Sequence, residues 1–165
     1  MKAALFPKLA QYLTAQGLSR VHPDATENTA RAAVAALAGL GHSEQLWSGD
    51  LHTGVQLVSV ISGEKLPGVE LARRAPLLAE RAVALGERVK GEVQVLQLVA
   101  YDRPVPSQER SFILGKARVQ PWFPLSRGQV ATWIFALSEP ALYATRFRGW
   151  PPELSADQLR ALLAG

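Results

Sequence analysis

Cysteine is absent from this sequence, which excludes disulfide staples, thiolate nucleophiles and thiolate metal sites. That absence suits a reducing compartment, and the cytoplasm is the expected location. Long apolar runs are lacking as well. No uninterrupted stretch approaches the roughly 20 residues of a membrane-spanning helix. Lys8 interrupts the N-terminal run Met1-Lys2-Ala3-Ala4-Leu5-Phe6-Pro7 before it reaches the length of a signal peptide's hydrophobic segment. The chain therefore reads as soluble, with no integral membrane segment.

Recognisable catalytic motifs are missing too. There is no GxGxxG, HExxH or GxSxG pattern, so dinucleotide, zincin and esterase chemistry lack their usual support. Gly63-Glu64-Lys65-Leu66-Pro67-Gly68 has glycines and a lysine in the wrong order for a phosphate cradle, and its proline removes an N–H that a cradle would use. It reads as a turn. Histidine is scarce, with three in the chain. His22 and His42 sit in connectors, and only His52, two residues from Asp50 and close to Trp47, stands where a carboxylate could orient an imidazole. A metal-dependent nuclease would place an acid on one strand and an acid-x-lysine on the next. Asp50 could be the first acid, but the following strand offers Glu92 and Gln94, with Lys90 on the wrong side. A nuclease-like fold would therefore be inactive. No cofactor, metal site or catalytic residue is expected.

What is present is an ordinary globular composition: 165 residues, 48% hydrophobic and 19% charged. A chain of this length buries roughly two-thirds of its unfolded surface and needs no staple. No stretch has the composition of an interdomain linker, so residues 1–165 are expected to form one α+β domain. Residues 4–16 place Leu5, Leu9, Tyr12 and Leu13 at helical spacing before Gly17, and a second helix is expected from Asp24 or Thr26 to Leu37. A short strand at Leu46-Trp47 and another at Val55–Ile61 flank a glycine-bounded loop. Val69–Lys90 repeats apolar residues every three or four positions, with Pro76 inside the pattern, and Val93–Tyr101 reads as a central strand covered on both faces. Together these make a β-α-β crossover. Strands are then expected at Ser111–Val119, Gln129–Leu137 and Leu142–Phe147, as a mostly antiparallel meander. A C-terminal capping helix begins at Ser155 or Ala156, marked by Ser155 and Gln158 at capping-box spacing. The sum is a mixed sheet with helices packed on it.

Charge is distributed unevenly. The net charge of +4 lies in residues 102–148, where Arg103, Arg110, Lys116, Arg118, Arg127, Arg146 and Arg148 face three acids, and nine of the twelve aromatics fall between Tyr101 and Trp150. Cations interleaved with aromatics suit a single-stranded nucleic acid, because phosphates attract the former and bases stack on the latter. The same composition arises in strands for packing reasons alone.

Trp133-Ile134-Phe135-Ala136-Leu137-Ser138-Glu139-Pro140-Ala141-Leu142-Tyr143, followed by a proline-led helix, resembles the soluble domain that precedes the membrane region in some bacterial rhomboid-type proteins. The membrane part and its catalytic serine and histidine are not in this sequence, so the resemblance implies an accessory domain. Three functions remain in contention. The first is a non-enzymatic interaction or accessory module binding a protein partner or a second copy of itself. The second is a nucleic-acid-binding domain using the seven cations of the basic half. The third is an enzyme with a polar site near Asp50, His52 and Tyr101.

Overall fold

A computed structural model describes residues 2–22, 43–51, 54–119, 128–139, 141–144 and 155–164. In chain order the elements are α1 (Lys2–Ala15), β1 (Ser19–Val21), β2 (Ser43–Leu51), β3 (Gly54–Ser62), α2 (Gly68–Val89), β4 (Glu92–Tyr101), α3 (Ser107–Lys116), β5 (Gly128–Ala136), β6 (Ala141–Tyr143) and α4 (Ala156–Ala164). The strands form one mixed sheet in the order β1-β2-β3-β4-β5-β6. Helices cover both its faces, so the expected α+β class holds. The helix expected from Asp24 or Thr26, and the end of the strand expected to reach Phe147, lie outside the described residues.

Three neighbouring strands set the architecture. β3 pairs with β4, and β4 with β5, in parallel and in continuous register. Parallel neighbours cannot be joined by a tight turn and need a crossover. The first crossover is α2, as the three-and-four spacing requires. Leu71, Ala75, Leu78, Ala82 and Leu85 are buried along it. Pro76 lies within the helix and is exposed, so the Ala72 carbonyl that it deprives of a donor sits on the side where water can reach it.

The second crossover corrects the sequence reading. Ser111–Val119 is not a strand: Ser107–Lys116 is helix α3, and β5 lies parallel to β4 instead of antiparallel in a meander. Among the described residues of this half, β6 and the isolated bridge of Val119 with Val130 are antiparallel to β5. The cause is topological. Once β4 and β5 pair in parallel, the chain between them must return along the sheet, and Ser107–Lys116 makes that return. Locally the helix is weakly marked, because Phe112 is exposed while Ile113 is buried. Its signals are electrostatic, with Glu109 in the first turn and Lys116 in the last. A second correction concerns β2, which runs from Ser43 to Leu51. Of the loop expected over Ser48–Gly54, Ser48–Leu51 is thus strand, paired antiparallel with β3 down to Leu51 opposite Gly54.

Both crossover helices lie on one face. Val55, Leu57, Val93, Val95 and Val130 meet α2 there, while Ile61, Val99, Tyr101 and Ile134 meet Leu71 and Ile113. On the opposite face Leu5, Leu9, Tyr12 and Leu13 of α1 and Leu159 of α4 cover Trp47, Val58, Val60, Leu96, Leu98, Trp133 and Phe135. Strands buried on both faces explain the near-continuous apolar character of β3 and β4.

The helix ends follow capping chemistry with two departures. Ser155 accepts the Gln158 N–H on its Oγ at 3.3 Å, as the capping-box spacing requires. The Gln158 side chain, however, accepts from Gln16 Nε2 at 3.0 Å, so it ties α4 to the end of α1 instead of closing the box. Tyr12 strengthens that tie by donating to the Ser155 carbonyl at 2.7 Å. The second departure is at the end of α2. Lys90, with φ 53°, adopts the left-handed conformation that Gly17, with φ 85°, supplies after α1. The Gly91 N–H bonds back to the Gly86 carbonyl at 3.1 Å.

Two stability changes follow. Ser155→Ala removes the side-chain cap but keeps the carbonyl that Tyr12 uses, and should cost about 1 kcal/mol by urea midpoint at constant slope. Lys90→Gly relieves a side chain from left-handed backbone and should stabilise by about 0.5–1 kcal/mol on the same measure.

Candidate functional site

Ligands of parallel sheets bind beyond the carboxyl ends of the strands. In this chain those ends carry Ser62, Gly63 and Glu64 after β3 and Tyr101, Asp102 and Arg103 after β4. Glu64 joins them: its Oε1 accepts the Asp102 N–H at 2.7 Å and its Oε2 accepts the Ser62 hydroxyl at 3.1 Å. Tyr101 is fully buried between them. Gly63 lies so close to its ring that a Cβ would be driven into the ring atoms. The Arg103 guanidinium lies over the same ring, 5.0 Å from its centroid.

Arg103 in turn is held by both carboxylate oxygens of Glu109, at 2.9 and 3.1 Å. That hydrogen bonding raises its pKa above the ordinary arginine value. Among the described residues the Tyr101 hydroxyl has no hydrogen-bond partner. Burial, then Glu109 and Glu64, push its pKa up to about 12, against the opposing pull of Arg103. Beside this group Arg110 donates to the Val105 carbonyl at 2.8 Å and to the Tyr143 hydroxyl at 3.3 Å, with its guanidinium 4.2 Å from the centre of the Tyr143 ring. Each charge is thus committed to a loop or a ring. A phenol held neutral this firmly is not a base near neutral pH.

A second polar group crosses the sheet beneath α2. Ser59, Gln97 and Thr132 are register partners on β3, β4 and β5 and are all buried. Thr132 donates its only hydroxyl proton to the Ala117 carbonyl at 2.6 Å. It must therefore accept from Gln97 Nε2, 3.0 Å away, which orients the amide. Arg74 is buried on α2 and its pKa is lowered, first by desolvation and then by Arg81. The row separates the two apolar clusters on this face, with Leu57, Val95 and Val130 on one side and Ile61, Val99 and Ile134 on the other. On the opposite face Gln56, Gln94 and Gln129 form another register row. Sequence reasoning missed both rows. Their signal was glutamine recurring inside strands that are otherwise apolar.

The seven cations expected to form a nucleic-acid surface are placed as follows. Arg103 and Arg110 stand together at the start of α3 in the contacts just described. Lys116 ends α3, and Arg118 follows it; both are exposed. A helix of ten residues is about 15 Å long, so the two pairs sit at opposite ends of α3 and not on one strand face. Arg127, Arg146 and Arg148 lie outside the described residues. His52 does too. Asp50 is exposed and pairs with Val55 at the start of β3, in line with Val93 of β4. Tyr101 is eight residues further along β4, or about 26 Å at the rise of a parallel strand. Asp50 and Tyr101 therefore do not share a site.

Among the described residues no three His, Asp or Glu side chains are grouped so as to hold a metal ion, and no described helix is long and apolar enough to cross a membrane. No protein-family model matches the chain, and no curated protein or solved structure is significantly similar to it.

Tyrosine burial makes stability sensitive to alkali. Tyr12, like Tyr101, is pushed by burial up to about 12 from the ordinary tyrosine value of 10.0, with its bond to Ser155 opposing the shift. Below pH 10 both phenols are neutral whether the chain is folded or not, so their contribution is fully present. Between pH 10 and 12 the unfolded chain ionises first and stability falls. Urea midpoints across that window, with absorbance at 295 nm to follow phenolate, should show this decline. Tyr101→Phe should make it shallower without destabilising the fold at pH 7, because the hydroxyl has no hydrogen bond to lose. Gly63→Ala presses a methyl group into the same ring and should cost about 1–3 kcal/mol in thermal or urea unfolding.

Proposed function

We propose that this chain is a non-enzymatic interaction or accessory module that binds a protein partner or a second copy of itself through the outer surface of α2 and α3. The observation that supports this reading is the disposition of the four described cations of the basic half. Arg103 and Arg110 are engaged with Glu109, Tyr101, Val105 and Tyr143, and Lys116 and Arg118 stand a helix length away. A nucleic-acid surface needs its cations convergent and available to phosphates.

Among the described residues the outer strands β1 and β6 are poor adhesive surfaces. β1 has three residues, of which Ser19 and Arg20 are exposed, and on β6 Arg160 Nε donates to the Leu142 carbonyl at 3.2 Å. Short, charged and side-chain-covered edges discourage strand addition. Apolar surface is instead found on the helices. Val69 and Leu77 on α2 are 52% and 48% exposed, and Phe112 on α3 is 41% exposed. Gly68 abuts Ile113 and Phe112, which brings the first turn of α2 against this part of α3. Exposed aromatic and aliphatic side chains suit a protein interface. With no cysteine to oxidise, the module fits the cytoplasm.

Fluorescence anisotropy with a labelled single-stranded oligonucleotide, at low and moderate salt, separates this reading from nucleic-acid binding. The expected result is no salt-sensitive association. Micromolar binding that weakens with salt and with the pair Lys116→Glu and Arg118→Glu would overturn the proposal. Sedimentation velocity over a concentration series tests the self-association branch. Phe112→Asp should abolish any self-association while changing stability by less than about 0.5 kcal/mol, as an exposed position allows. A larger loss of stability would mean that the ring belongs to the fold and is not spare surface.

A further inference from the structure

No further inference is drawn: the strongest candidate, the register row of glutamines Gln56, Gln94 and Gln129 on the α1 and α4 face of the sheet, each with one buried amide atom lacking a hydrogen-bond partner, carries nothing because nothing in the structure shows what covers it.

Discussion

Parallel pairing of β3, β4 and β5 is the constraint from which the other features follow. It obliges the chain to return twice along the same face, once through α2 and once through α3. It buries both faces of the central strands, which is why polar residues inside them must align in register rows. It also gathers three carboxyl-terminal strand ends at one edge of the molecule. Had Ser111–Val119 formed a strand of a meander beside β4, β5 would not pair with β4 and the second crossover would be lost, while the first, through α2, would remain.

The polar rows impose order on the core at some cost. A buried amide or hydroxyl leaves water at a penalty that its hydrogen bonds largely offset. Gln97, Thr132 and the Ala117 carbonyl form a chain whose direction is set by the single hydroxyl proton of threonine. A one-residue slip of β5 against β4 would break that chain and turn Thr132 away from Gln97. The row therefore favours one register among several that apolar packing alone would tolerate. Because Thr132 reaches the end of α3, the same bonds also seat the second crossover helix.

At the strand ends, charge serves attachment. Glu64 holds the two strand termini together, Glu109 fixes Arg103 beside Tyr101, and Arg110 ties the start of α3 to Tyr143 of β6. The opposite face is fastened with fewer charges, through Tyr12 and Gln16 of α1 meeting Ser155 and Gln158 of α4. These contacts join residues more than 140 positions apart and close the N- and C-terminal helices over the sheet.

Patterns with a local physical cause were legible in the sequence: the spacing of Leu71, Ala75, Leu78, Ala82 and Leu85, the apolar run of Val93–Tyr101, the glycine after α1 and the serine cap before α4. Each depends on residues within a few positions of one another, where helical and strand periodicities act. The path of Ser107–Lys116 was not legible, because its few buried side chains give no clear stripe and its helix is imposed by the pairing of β4 with β5. The length of β2 was hidden for a related reason, since Gly49 and Asp50 look like loop residues until β3 is placed beside them. Whether the seven cations converge was equally beyond the sequence. Proximity of Lys116 to Arg118 in the chain promised a shared face only if both lay on a regular strand. The sequence by itself determined the helices with strong periodicity, the buried central strands and the absence of thiol chemistry. Only the tertiary structure decided strand direction and which partners Arg103 and Arg110 take, because those depend on segments brought together across the sheet.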